Sequence, residues 1–395
     1  MNDGREVVVL SGVRTAIGDY GGALKDVPPT ELAARVVREA VSRAKVAPED
    51  VGHVVFANVI HTEPKDMYLS RVACINGGLP KETPALTLNR LCGSGLQAIV
   101  SAAQAIKLGD ADTAVAGGAE SMSRGAYVNP SARWGARMGD QQIIDMMVGA
   151  LTDPFDTVHM GITAENVAAK WGITRQQQDE MALESNRRAV NAIQKGYFKD
   201  QVMPIEIKTR KGSVVVDTDE HPRADASMES FAKLKTVFKL DGSVTAGNAS
   251  SINDGAAATV LMERKAAEKK GLKPLARLVA YAHAGVDPKY MGIGPVPAVR
   301  KVMERAGLKV SDMDVIESNE AFAAQACAVA KDLAFDLKKV NPNGGAIALG
   351  HPIGATGAIL TVKAIYELHR VGSRYALVTM CIGGGQGIAA IFERL

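Results

Sequence analysis

A chain of 395 residues exceeds what one hydrophobic core supports, so at least two packed units are expected. Lys and Arg number 46 against 43 Asp and Glu, for a net charge of +3; aromatics make up 5% of residues, and no basic block is interleaved with them, which argues against nucleic-acid binding. The 4 cysteines form no CxxC pair and no regular spacing, which excludes a disulfide framework and leaves free thiols, as in a reducing compartment.

In chain order, the N-terminal segment MNDGREVVVL is acidic and reaches a strand-like run at residues 7–10 without the basic, apolar and small-residue order of a secretory signal. A cytoplasmic location is therefore expected. No apolar stretch approaches the ~20 residues of a membrane-spanning helix, so no membrane insertion is expected. The next element is a helix over residues 31–44, with Thr30 as its N-cap after Pro28 and Pro29. Short apolar runs at 54–57, 113–116, 315–317 and 376–380 alternate with helical periodicity, the signature of an α/β fold. From about 121 to 250 the rhythm breaks, as in an insertion. This stretch holds a helix over 175–195 behind a Thr174/Gln177 capping box, stopped by Gly196. A hairpin follows, its IEIKT and SVVVD strands flanking Arg210, Lys211 and Gly212.

A weak internal repeat organises the remainder. Cys92-Gly-Ser-Gly95 leads into a helix, Gly109 and a strand ending at Gly117 and Gly118. His351-Pro-Ile-Gly354 leads into a helix of similar length, Gly372 and a strand ending at Cys381 and Gly383. If the halves are pseudo-symmetric copies, Cys92 and His351 occupy equivalent helix entrances and face one another where ligand sites often form.

Cys92 precedes a helix in a glycine-rich turn, so its sulfur is expected near the positive end of the dipole with a lowered thiol pKa. A lone cysteine is otherwise a small core residue, the reading that fits Cys74 and Cys327. His351, in the glycine-rich GGAIALGHPIGATG, suits a general base only if it meets a nucleophile. Asn319 sits where strand gives way to an apolar helix, and residues alone favour an N-cap there. Cys381 ends a strand before Gly383-Gly-Gly; the following IAAIFERL is strand-like, so no helix N-terminus is available for a pyrophosphate. The scattered histidines show no HExxH or zinc spacing; no metal is expected, and His53, His61, His221, His283 and His369 receive no role.

Together, NRLCGSGLQAI around Cys92, SNEAFAAQ around Asn319, and GGAIALGHPIGATG with CIGGGQG around His351 and Cys381 resemble the thiolase family over essentially the whole chain, most closely its bacterial biosynthetic and broad-range β-ketothiolase members. The resemblance implies a duplicated α/β fold of five αβαβα layers: a first half at 1–120 and 251–273, an inserted loop domain at 121–250 and a second half at 274–395. It implies a reversible Claisen condensation of acetyl-CoA with acetyl-CoA or a longer acyl-CoA, giving acetoacetyl-CoA or a longer 3-ketoacyl-CoA. Cys92 would be the acyl-accepting nucleophile, His351 its base and Cys381 the base for the α-proton. Asn319 with His351 would stabilise the enolate, and the backbone N–H groups of Cys92 and Gly383 the tetrahedral oxyanion.

By the same resemblance His159, Met160, Arg223, Ser230, Phe238, Ala246 and Ser250 would contact coenzyme A, and Met291, Ala321 and Phe322 would line the acyl end. No cofactor beyond the CoA substrates is implied, and a homotetramer is. Ser251, Ser318 and Thr236 depart from the family's usual glycine, alanine and proline; Ser251 adjoins the pantetheine pocket and is expected to stiffen its turn or raise KM. The chain order Cys92, Asn319, His351 argues against a papain-like protease, and Cys381 against a ketoacyl synthase. The alternative is a non-catalytic acyl-CoA or lipid binder on the same fold.

Overall fold

The computed structural model describes residues 4–209 and 212–395. Nine strands lie on one hydrogen-bonded path: β1 Val7–Arg14, β2 His53–Ala57, β3 Ala85–Leu88, β4 Thr113–Ser121, β5 Asn253–Glu263, β6 Ala276–Gly285, β7 Val315–Ser318, β8 Tyr375–Ile382 and β9 Gln386–Arg394. Their spatial order is β3-β2-β4-β5-β1-β6-β9-β8-β7, with a two-residue strand at Gly18–Asp19 added beside β5. The order reads alike from both ends. In the first half β2 runs parallel to β4 and β5 antiparallel to β4 and β1; in the second, β7 runs parallel to β8 and β9 antiparallel to β8 and β6. The single parallel bridge of Ile316 with Val340 stands where the first half has β3 beside β2. Within the sheet the halves meet through two residue pairs, Val8 with Arg277 and Val9 with Ala276.

The helices complete the layers. α1 Pro29–Ala44 and α2 Leu69–Asn76 cover the outer face of the first half. Further on, α6 Pro295–Ala306, with α7 Ala323–Asp332 beside it, covers the second. Between the halves lie α3 Ser94–Leu108 and α8 Thr356–Val371, which pack on each other and on strands of both. Strands covered on both faces cannot alternate in polarity, and β1, β4 and β5 are buried along their entire length. The repeat is exact enough to set the helix crossing: Gly95 and Gly357, each second in its helix, approach backbone to backbone. A Cβ on Gly95 would lie 2.6 Å from the Ala358 nitrogen, and one on Gly357 2.2 Å from that of Leu96.

Between β4 and β5 the described residues contribute two small hairpins apart from the main sheet, α4 Met160–Trp171, α5 Arg175–Gln194, two five-residue helices and two short helical turns at Met122–Arg124 and Ala132–Trp134. The expected Thr174/Gln177 capping box is present, and Gly196 follows in the left-handed region. The hairpin pairs Ile205–Thr209 with Gly212–Val216, so Gly212 belongs to a strand; Arg210 and Lys211 lie outside the described residues. The start of α1 differs from expectation. Pro28 holds the cap position, Pro29 opens the helix and Thr30 is buried in the first turn, because a proline there has its φ preset and no N–H left unpaired.

Inside the middle layer, Lys363 of α8 donates to Glu317 of β7 (2.8 Å) and to the Gly344 carbonyl (2.7 Å), fastening the central helix to the strand that leads into Asn319. Burial pushes the Glu317 carboxyl up to about 7 against the pull of Lys363. Lys363→Met strands that carboxyl in the core and is expected to cost about 3–5 kcal/mol in denaturant unfolding, whereas pairing it with Glu317→Leu recovers most of the loss.

Candidate active site

The two helix entrances of the middle layer open onto one cavity of about 620 Å³, lined by Cys92 from one and His351 from the other. Cys92 sits in a helical turn, Leu91–Gly93, ahead of α3. Asn89 Oδ1 accepts the Leu91 N–H (2.8 Å) and Ser94 Oγ the Arg90 N–H (2.7 Å), and Leu91 is held at φ 43°, a left-handed conformation costly for a branched side chain. The backbone N–H groups of Gly383 and of Cys92 itself favour its thiolate form. At Gly383 a Cβ would meet the Met160 methyl at 2.8 Å, so any side chain there would first have to displace that methionine.

The lowered thiol pKa expected for Cys92 is not found. Burial pushes it up to about 11, the two N–H groups oppose this only in part, and the Glu120 carboxylate raises it further. Burial also pushes His351 down to about 4, so thiol and imidazole are both neutral at rest. Cys381, buried in β8 behind the cavity, has its thiol pushed well above the ordinary range by burial and then by Cys92.

The tautomer of His351 follows from its partners. The Thr356 hydroxyl donates to the Pro352 carbonyl (2.9 Å), so it accepts from Nδ1–H of His351 (2.7 Å). Nε2 is left as the acceptor, and Asn319 Nδ2 donates to it at 3.3 Å. Asn319 is not the helix cap expected from the residues alone: α7 begins at Ala323 with Phe322 in the cap position. Its buried Oδ1 has no hydrogen-bond partner among the described residues, which leaves it to take a water or substrate hydrogen. With His351 of the free protein neutral down to about pH 4, kcat/KM should show no acid limb near pH 6.5; a limb at 6.5 in the kcat/KM profile would contradict this placement. Between pH 6.5 and 4 the unfolded chain takes up a proton that the folded site refuses, so stability falls with pH by roughly 3 kcal/mol from this group.

Of the other expected residues, His159, Met160, Arg223, Phe238, Ala246, Ser250, Met291, Ala321 and Phe322 line the same cavity. His159 caps α4 by accepting the Gly161 N–H (3.0 Å) and stacks on Phe238 at 4.5 Å, and Phe238 meets Phe322 edge-on. Ser230 stands apart: its hydroxyl closes the capping box of its own short helix with Ser227. Several residues were missed. His221, given no role, lines the cavity and bonds Asp19 (2.8 Å). Glu120 accepts backbone N–H groups from Val59, Ile60 and Gly354, a cage that only the fold assembles. The Thr356 hydroxyl did have a signal, five residues beyond His351 at the start of a helix. Cys327, expected in the core, is only partly buried, on a separate cavity of about 610 Å³. Among the described residues no group of three or more His, Cys, Asp or Glu is disposed to hold a metal, and no helix is long and apolar enough to cross a membrane.

A duplicated five-layer α/β scaffold with a cysteine turn and a histidine loop at the paired entrances of its central helices is the thiolase fold. The chain belongs to the thiolase family: residues 7–265 match the family described as Thiolase, N-terminal domain, and 272–394 Thiolase, C-terminal domain. It is 70% identical over 392 residues to the beta-ketothiolase BktB of Cupriavidus necator, covering 99% of this chain and 100% of that one. The crystal structure of the Bacillus anthracis acetyl-CoA acetyltransferase superposes with a TM-score of 0.97 at 48% identity, covering 99% of both chains. Human mitochondrial 3-ketoacyl-CoA thiolase in complex with CoA gives 0.96 at 45% identity, covering 99% of this chain and 98% of that one.

Proposed function

We propose that this thiolase condenses acetyl-CoA with acetyl-CoA or a longer acyl-CoA to a 3-ketoacyl-CoA, and cleaves that product with CoA in reverse. The observation that carries this reading is one cavity shared by Cys92, a neutral His351 and the Gly383 N–H. Cys92 sulfur attacks the acyl carbonyl as its proton passes to His351 Nε2, and the tetrahedral oxygen rests on the N–H groups of Cys92 and Gly383. The carbonyl re-forms, CoA departs with the proton of Cys381, and an acyl-Cys92, an imidazolium and a Cys381 thiolate remain. That buried thiolate is strongly basic, which suits removal of the α-proton from the second acetyl-CoA. The enolate oxygen is stabilised by His351 and by Asn319 through a water on its open Oδ1. Its carbon attacks the acyl carbonyl, Cys92 is expelled as thiolate and His351 returns its proton, so every group regains its first state. No step calls for a metal or a redox cofactor.

The apolar packing around Cys92, with Met122 and Ile353 buried and Met147, Ala150 and Leu151 partly so, supports acyl groups longer than acetyl. His159, Phe238 and Arg223 support binding of coenzyme A along the cavity, Arg223 toward its phosphates. Two surfaces support a homotetramer. The edge strand β3 exposes Leu86, and the Tyr127–Val128 hairpin region exposes Trp134 and Met138 at 86% and 96%. Two self-complementary contacts of this kind generate dihedral symmetry. A cytoplasmic location fits the free thiols.

The test is CoA-dependent thiolysis of acetoacetyl-CoA and 3-ketovaleryl-CoA by the wild-type protein, followed by loss of enolate absorbance, with the mass in solution measured alongside by light scattering. Turnover of both substrates supports the proposal. Binding of CoA without turnover would favour the non-catalytic binder.

A further inference from the structure

His351 is carried on a loop, and its backbone is held by one side chain, Asn253, at the first position of β5. Asn253 is fully buried and all of its hydrogen-bonding capacity is used. Its Oδ1 accepts the His351 backbone N–H (2.8 Å) and the Ser251 hydroxyl (2.7 Å), and its Nδ2 donates to the Gly18 carbonyl (3.0 Å) and Asp19 Oδ1 (3.4 Å). The amide cannot turn over, because an N–H only donates and a carbonyl only accepts. Gly350, at φ 110°, lies against the same amide, and a Cβ there would come within 2.5 Å of it. The loop is therefore pressed onto Asn253 as well as bonded to it. Asp19 in turn holds His221 on the cavity wall, so one buried amide ties the base to the N-terminal segment, the Ser251 turn and the cavity rim.

We propose that Asn253 is the positioning residue that sets where the His351 imidazole stands, and that Ser251 reinforces it by fixing the amide. This rests on the reading of His351 as the base. Ser251 lines the cavity too, but its hydroxyl is spent on Asn253, which places its effect on kcat rather than on the KM expected from its neighbourhood to the pantetheine. A base displaced by a fraction of an ångström loses rate while substrate binding elsewhere in the cavity persists.

The experiment is steady-state thiolysis of acetoacetyl-CoA by the full chain as wild type, His351→Ala, Asn253→Ala, Ser251→Ala and the Ser251→Ala/Asn253→Ala pair, each checked by circular dichroism. Asn253→Ala is expected to lower kcat about 100-fold with KM within about threefold. Ser251→Ala should lower kcat about three- to tenfold, and less than about twofold in the Asn253→Ala background, because it acts through that residue. If His351→Ala keeps kcat within about tenfold of wild type, the reading of the base fails and the proposal with it. If His351→Ala is inactive but Asn253→Ala keeps its kcat, loses only in KM, or leaves the Ser251→Ala effect undiminished, the positioning role alone is overturned. Should Asn253→Ala not fold, Ser251→Ala decides: an unchanged kcat overturns the proposal.

Discussion

Cys92→Ser is expected to lower kcat for acetoacetyl-CoA thiolysis by about 10⁴-fold or more, with CoA still bound. A serine hydroxyl fits the turn between Leu91 and Gly93, so the cavity and its N–H groups survive. What is lost is the softer nucleophile. Even the thiol, held up at about 11, gives up its proton to His351 only as attack proceeds, and an alkoxide is far harder to form in the same buried setting. No acyl group should be retained on the variant after incubation with acetyl-CoA, as read by intact-protein mass spectrometry. A variant within tenfold of wild type would remove Cys92 from the chemistry.

The second large effect separates the two half-reactions. Cys381→Ala should lower both condensation and thiolysis of acetoacetyl-CoA by about 10³- to 10⁴-fold, the upper range for removal of a general acid–base group. Cys92 should nevertheless still gain the mass of one acetyl group from acetyl-CoA, more slowly than in the wild type. The reason is positional: Cys381 lies in β8 behind the cavity, close enough for Cys92 to raise its thiol pKa yet not among the residues that line the cavity. Its replacement by a small apolar residue suits the buried surroundings. If acylation and carbon–carbon bond formation were lost together, Cys381 would belong to the nucleophile's activation instead.

Sequence carried the parts of this molecule that depend on local order. The capping box at Thr174, the two matching runs from Cys92 and from His351, and the strand after Gly383 are all patterns along the chain, and the fold realises each. Three readings failed where a local rule met a tertiary one. Thr30 is an ordinary cap residue, but Pro28 and Pro29 fix the chain before it. Asn319 resembles a cap, but the chain runs on to Phe322 before turning helical. Cys92 lies at a helix start, yet burial outweighs the backbone N–H groups that would lower its thiol pKa. The cage around Glu120 and the clasp on His351 could not be read, because they join main-chain groups to side chains between 60 and 235 residues away along the chain. Such contacts leave no periodicity.

The strand order β4-β5-β1 has a consequence for how the protein is made. β5 separates β1 from β4 in the finished sheet, but it is the last of the three to leave the ribosome. The roughly 130 residues between the end of β4 and the start of β5 take about 7 to 26 seconds to translate at typical rates. Throughout that interval two strands that end fully buried wait with their facing edges unsatisfied. The nascent chain is thus most exposed to misassembly midway through synthesis, and a slow stretch of translation between residues 122 and 252 would prolong that exposure rather than relieve it.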